Sequence, residues 1–346
     1  MIGTLEENII IMTGELMEKT VILKKSHVED LLSMDDCLKA VETAFIQDAL
    51  GKVQMPPKNY LFFRRYGGDL RIMPSYLEEL EMAGVKCVNV HPSNPRRYSL
   101  PTVMAVIELV DPETGFPIAL MDGTYITDMR TGAAGGVSVR YLARKDSGTL
   151  GIVGAGRQAW TQLMAIERVV DLEEVYVYCR TPENREKFAY KASKTFEVLV
   201  RAASSPEEAV RGMDIVVTVT PSREPVVKAE WVSPGTHICA MGADAPGKQE
   251  LDPEILLSAR VFYDNWEQAS HSGEINVPLK MGILGEDDLQ GTVGDVITGR
   301  IQGRTSDDDI TVFDSTGLSL QDVVSAWMVY ERAVEEGRGV EIDLQG

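Results

Sequence analysis

The chain has 346 residues, 44% of them apolar and 25% charged, with 53 acidic against 34 basic residues and a formal net charge of -19. Such a composition excludes a disordered or fibrous chain, and the length is that of about two ordinary domains. The negative balance argues against nucleic acid or an anionic membrane as partner, because both are held through basic patches.

Residues 1–19 read as a polar leader, with Met12 and Met17 as later candidate starts, and are expected to be poorly ordered. Glu6 and Glu7 ahead of the apolar 9–12 stretch are unlike a signal peptide, and no run reaches the length of a membrane span. Residues 21–24 read as a short strand. Ser33 with Asp36 marks a helix start, and the periodic run 37–50 ends at Gly51. Met55-Pro56-Pro57 interrupts regular structure. Strands are expected at 59–65, 70–73, 84–90, 102–109 and 118–120, with turns at Gly67-Gly68 and over 111–115. From Tyr125 the rhythm changes. A helix rich in small residues, with Arg130-Thr131-Gly132-Ala133-Ala134, runs to about Leu142. Strands at 149–153, 174–178, 198–202, 214–219, 237–241 and 259–263 then alternate with helices to about Val169 and over 182–193 and 206–211. That alternation predicts an α/β fold with a parallel sheet covered on both faces. A last amphipathic helix, 318–336, is expected to pack back on the first part. The expected domains are 125–317, of Rossmann type, and a mixed α/β unit made of 20–124 and 318–346.

Cys37, Cys87, Cys179 and Cys239 form no CxxC pair, and His27, His91, His237 and His271 show no HExxH spacing. No metal site is expected, and a reducing, cytoplasmic setting is. The acidic run Asp307-Asp308-Asp309 fits neither a calcium loop nor a two-metal centre and reads as a solvated turn.

The strongest local motif is Gly154-Ala155-Gly156-Arg157-Gln158-Ala159, which follows an apolar strand and opens a helix. Gly154 permits the tight turn, Gly156 lets the backbone approach a pyrophosphate, and Ala159 is small enough for close helix packing. The free amides of the helix start would hold the pyrophosphate of a nicotinamide dinucleotide. NAD sites usually place a carboxylate at the end of the next strand, but here that tip is Tyr178-Cys179-Arg180-Thr181. Arg180 with Thr181 suits a 2′-phosphate, which favours NADP(H) over NAD(H). Arg180 stacked on adenine would leave either cofactor acceptable.

Lys86 interrupts an apolar strand, so it is either turned to solvent or buried for use, as a carboxylate ligand or an acid/base. Asp244, in Gly242-Ala243-Asp244-Ala245-Pro246-Gly247, follows a strand on a glycine-rich loop, where parallel sheets place ligands. Arg130, near the junction of the two parts, offers a fork of donors for a carboxylate or phosphate. Lys58 and Arg71 flank first-part strands. His91 ends the Lys86 strand and either lines the same pocket or is satisfied by backbone. Asp314-Ser315-Thr316-Gly317 reads first as a helix cap.

Together these residues resemble the ornithine cyclodeaminase/mu-crystallin family, and within it the archaeal type of alanine dehydrogenase. The resemblance runs from about Val21 to Glu336. It is carried by Met55-Pro56-Pro57-Lys58, Gly68-Asp69-Leu70-Arg71-Ile72-Met73-Pro74, Gly84-Val85-Lys86, Leu100-Pro101-Thr102, Thr220-Pro221-Ser222, Gly273-Glu274-Ile275 and the motifs above. It implies a homodimer made through the first domains, and a substrate cleft between first domain and Rossmann domain. By position it implies Lys86 and Asp244 as catalytic residues, and Lys58, Arg71 and Arg130 as substrate-binding ones. Thr102, Gly154, Ala155, Gly156, Arg157, Gln158, Ala159, Arg180, Thr181, Thr220 and Gly242 are the implied cofactor contacts. Cyclodeaminases place a carboxylate near Arg71, where it can pair with a distal amine; an arginine repels that amine. The resemblance therefore implies reversible NAD(P)-dependent oxidative deamination of L-alanine to pyruvate and ammonia. The alternatives are ornithine cyclodeamination to proline, reduction of a cyclic imine or ketimine acid, and a non-enzymatic nucleotide-binding storage role.

Overall fold

Ser33 stops one helix and starts the next. Its hydroxyl accepts from the Asp36 amide while the Asp36 carboxylate accepts from the Ser33 amide, so two orphan donors are satisfied at once. The computed structural model describes residues 19–344; the expected leader otherwise lies outside these. Helices α1 (Lys25–Leu31) and α2 (Met34–Ala49) follow strand β1 (Thr20–Leu23) and lead into β2 (Val53–Gln54). The strands β3 (Asn59–Phe63), β4 (Gly68–Leu77), β5 (Met82–Val90), β6 (Val103–Val110) and β7 (Pro117–Asp122) come next, with the short α3 (Asn94–Arg97) between β5 and β6. β3 through β7 pair antiparallel in succession, and β1 joins β7 in parallel. β4 runs through Pro74 and is longer than expected. The proline falls between the stretches paired by β3 and by β2, where a missing donor is tolerated.

Helix α4 (Gly123–Leu142) leaves this sheet and leads to the second. There β8 (Thr149–Val153), β9 (Glu174–Tyr178), β10 (Leu199–Ala202), β11 (Ile215–Thr218) and β12 (His237–Ala240) are joined by α5 (Arg157–Ile166), α6 (Pro182–Thr195) and loops. The chain continues through α7 (Pro253–Ser258), β13 (Arg260–Tyr263), α8 (Trp266–Ser272), α9 (Asn276–Lys280), β14 (Leu289–Thr292), α10 (Val293–Ile297) and β15 (Thr311–Asp314). The strand order is β10-β9-β8-β11-β12-β15-β13-β14, all parallel. Its central strands are buried throughout, as the cover on both faces requires. Residues 206–211, expected as a helix, form turns, and α5 stops at Ile166 instead of near Val169. α1 was not anticipated, because seven residues give too little periodicity to read.

Helix α11 (Ser319–Glu335) returns to the first sheet and packs on β4, β5 and β6, before β16 (Val340–Ile342) closes on β1. One face of the first sheet, with Met73, Lys86, Val88, Ile107 and Leu109, is thereby buried. A continuous core joins the two sheets: Phe45 of α2 meets Phe313 of β15 edge-on at 6.1 Å.

The small residues of α4 serve close helix contact. A Cβ on Gly132 would run into the Thr161 carbonyl of α5, and one on Gly136 would lie 2.9 Å from Ala165 Cβ. Gly132→Val is expected to cost about 1–3 kcal/mol of stability by overpacking this contact. A urea unfolding curve with a lower midpoint and unchanged slope is the check.

Candidate active site

The inner face of the first sheet carries the chemistry. Lys86 lies opposite Met73 and Ile107 in register, 1% exposed, and its Nζ donates to Asp322 Oδ2 at 2.5 Å. The other Asp322 oxygen accepts from Arg130 Nε at 2.9 Å, and Arg130 Nη1 donates to Gln321 Oε1 at 3.1 Å. Thus α4, β5 and α11 meet at one buried carboxylate. Gly317 is the backbone condition for this meeting: its φ is +76°, and a Cβ there would sit 2.5 Å from Arg130 Nη1. Lys58 donates to the neighbouring Thr316 carbonyl at 2.6 Å, while Asp264 accepts from the amides of Thr316 and Gly317. Arg71 Nη1 donates to Asp244 Oδ2 at 2.8 Å and its Nε to Asp69 Oδ1 at 3.1 Å. Lys248 grips the other oxygen of Asp244.

The charges are tuned by this packing. Burial pushes the Lys86 ammonium down to about 7, with Arg130 adding to the shift and Asp322 opposing it. Burial likewise brings Lys58 down to about 8, against the pull of Asp264 and Asp244. Enclosure would raise the Asp244 carboxyl, but Lys248 and Arg71 outweigh it and hold it well below the usual carboxylate range. Near neutral pH Lys86, and next to it Lys58, can therefore exchange a proton, while Asp244 stays ionised.

The second sheet presents its carboxyl ends to the same region. Gly154 adopts φ +128°, and a Cβ would lie 2.7 Å from Val219 Cγ2, so only glycine fits. Above Gly156 a Cβ would meet nothing within 4 Å, and α5 begins there with no side-chain cap. A tight turn, open space and an uncapped helix start fit a dinucleotide pyrophosphate. Ala155 packs against the core and Ala159 is buried beneath the helix. Gln158 donates to Asp128 at 3.1 Å and Arg157 pairs with the same carboxylate. Thr220 and Gly242, on the loops after β11 and β12, are tied together by Glu250, which accepts from both amides at 2.6 and 2.8 Å. At the tip of β9, Arg180 is exposed, and Thr181 caps the backbone start of α6 without a side-chain hydrogen bond. Arg185 closes this corner, donating to the Cys179 carbonyl and lying 5.3 Å over the Tyr178 ring. Thr102 precedes β6, its carbonyl accepting from the His91 amide.

The model of the ornithine cyclodeaminase/mu-crystallin family matches residues 18–337. The chain belongs to that family. It is 53% identical over 325 residues to the alanine dehydrogenase of Archaeoglobus fulgidus, covering 94% of this chain and 98% of that protein. A solved archaeal alanine dehydrogenase dimer with bound NAD is 52% identical, covers 94% of this chain and 99% of its own, and gives a TM-score of 0.90. The Thermococcus litoralis Δ1-pyrroline-2-carboxylate reductase, solved with NADH and L-proline, is 39% identical over 93% of this chain and all of its own, with a TM-score of 0.91. As a family member with this glycine loop, the chain is an NAD(P)-dependent oxidoreductase. No described helix is long and apolar enough to cross a membrane.

This oxidoreductase brings Lys86, Arg130, Lys58, Arg71 and Asp244 to one region. Arg71, expected to face the substrate, is engaged by Asp244 and Asp69. His91 sits at the far end of β5, stacked on Phe63, away from Lys86. Asp309 of the acidic run accepts from the Thr305 and Ser306 amides, as a turn residue does. Sequence reasoning missed Asp322, Gln321, Asp264, Glu250 and Lys248. The available sign was the polar trio Gln321, Asp322 and Ser325 inside the apolar stripe of α11, all three fully buried.

Glu250 offers a direct test of the dinucleotide reading. Glu250→Ala leaves two half-buried amides unmatched, at about 1 kcal/mol each. It is expected to weaken nucleotide binding at least about tenfold by titration calorimetry, with the lysine cluster untouched.

Proposed function

We propose that this enzyme catalyses the reversible oxidative deamination of L-alanine to pyruvate and ammonia, with NADP(H) preferred over NAD(H). The observation that carries the reading is the sign of the site. Lys58, Lys86, Arg130 and Arg71 converge on it, which suits a carboxylate and repels the second amine of a diamino acid such as ornithine. Gln321 Nε2 adds to this. It lies buried beside Arg130 with no partner among the described residues, a donor without its acceptor. Similarity to the A. fulgidus alanine dehydrogenase supports the same substrate.

In this account the substrate-binding and dimerisation domain is 20–124 with 318–346, the Rossmann domain is 125–317, and the substrate lies between them. The free edge of the Arg130 guanidinium, with Lys58 and Gln321, holds the alanine carboxylate and fixes which face of the α-carbon is presented. The nicotinamide, when bound over the glycine loop, supplies the redox chemistry at that carbon. Neutral Lys86 takes the proton of the water that adds to the resulting imino acid, and returns one as ammonia departs. Asp244, held as a carboxylate, attracts the cationic nitrogen and orients the water. The balance is alanine, water and NAD(P)+ giving pyruvate, ammonium, NAD(P)H and a proton.

The cofactor preference rests on Arg180. It is exposed at the β9 tip with no partner among the described residues, next to the free Thr181 hydroxyl. The two similar solved proteins hold NAD and NADH, so a taste for NADP(H) sets this chain apart from them. A homodimer is proposed through the outer face of the first sheet, where Leu61, Val106 and Leu120 are 54%, 47% and 39% exposed on a cytoplasmic protein's surface.

Absorbance at 340 nm with pyruvate and ammonia, with NADH and NADPH in parallel, tests the activity. Consumption of nucleotide with alanine formed is expected; no consumption with either nucleotide rejects alanine as substrate. Arg180→Ala should lower the NADPH preference about 10–100-fold, the worth of one charged hydrogen bond. Alanine oxidation needs neutral Lys86, whose value is about 7. Hence kcat/KM should rise with pH through that value and level off above it. Val106→Glu should shift the dimer to monomer in light scattering.

A further inference from the structure

Lys86 cannot be understood through its own strand. The inner faces beside it offer Met73 from β4 and Ile107 from β6, neither of which carries charge. Its charged surroundings are Arg130 from α4, Lys58 from the segment before β3, and Asp322 from α11, with Arg71 farther along β4. Two of the three nearest are cations. The single anion, Asp322, is 0% exposed and spends one oxygen on Lys86 and the other on Arg130. It comes from a helix 236 residues away in sequence.

We propose that Asp322 is the positioning residue of the site, setting Lys86 and Arg130 at a fixed separation by giving one carboxylate oxygen to each. The inference rests on the catalytic reading of Lys86 above. Two oxygens of one rigid carboxylate, each with one cation, leave neither partner a second orientation. With Arg130 Nε held by Asp322 and Nη1 by Gln321, Nη2 is left without a hydrogen bond among the described residues. Without the anion, Lys86 would share a dry interior with Arg130 and Lys58 and would lose its proton far more readily.

The test is a titration of Lys86 by NMR in protein carrying ε-13C lysine, its signal identified by absence from Lys86→Met. In Asp322→Asn the midpoint should fall by about one pH unit or more, and the inflection of kcat/KM should move with it. In Asp322→Glu the charge remains but the longer arm displaces both cations. The midpoint should then hold while kcat falls about tenfold or more. Nucleotide affinity should be unchanged in both. An unmoved midpoint in Asp322→Asn, or full activity in Asp322→Glu, overturns the proposal. If Asp322→Asn does not fold, the glutamate variant alone decides. If the wild type ignores alanine, the substrate reading fails, while the titration still judges Asp322.

Discussion

A charged group without water needs a partner, and in this protein that need organises the centre of the molecule. Lys86 and Arg130 lie in a region closed by α4, α11 and the inner face of the first sheet, and a single carboxylate answers both. Burying one anion with two cations leaves an unbalanced positive charge, which is costly in an interior of low polarity. Lys58 sharpens the imbalance, and Asp264, which spends its oxygens on loop amides and hydroxyls, only partly offsets it. Loss of the Lys86 proton near neutral pH relieves part of this imbalance. The carboxylate of the proposed amino-acid substrate, bound beside Arg130, would offset the rest. This local cluster of cations stands against a formal net charge of -19 for the whole chain.

The loops that face this pocket are themselves held by buried carboxylates. Asp264 accepts from Thr316 and Gly317, Asp314 from Glu274 and Ile275, Glu274 from Glu250 and Leu251, and Glu250 from Thr220 and Gly242. Each side chain closes the backbone of the next loop, from the end of β13 round to the ends of β11 and β12. Backbone amides in these turns have no strand partner, so a carboxylate is the economical acceptor. Burial pushes Asp314 up to about 8, since its neighbours Asp264 and Glu250 add to the cost of a charge there. The chain of acceptors ties the loops after β11 and β12 to the segment that leads into α11, and α11 in turn carries Asp322. These loops and the lysine cluster therefore share one scaffold.

Much of this was legible in residue order. Gly154 and Gly156 after an apolar strand predict the turn and the uncapped helix that the structure shows, because glycine geometry is local. Lys86 inside an apolar strand left two readings open, a solvent-facing side chain or a buried cation, and the structure selects the buried one. Asp322, Glu250 and Asp264 did not announce themselves. A carboxylate in a helix or a loop is ordinary until its partners are known, and those partners lie far away along the chain. Arg71 has a partner that its motif does not announce. Its motif points to the substrate, yet Asp244 from the other sheet claims its guanidinium, a pairing fixed only when the sheets meet. Residues 206–211 read as helix from composition, but the chain there only has to turn from β10 to β11.

The central claim is that the α-hydrogen of a short amino acid held by Arg130 and Lys58 leaves for the nicotinamide and is not given back. L-alanine deuterated at the α-carbon, incubated with NADP+ and the enzyme, tests it most directly. The account predicts deuterium in the reduced nucleotide, pyruvate in equal amount, and turnover slowed by the isotope when chemistry limits. Reduced nucleotide free of deuterium, or none formed with alanine while ornithine yields unreduced cofactor and proline, would contradict it.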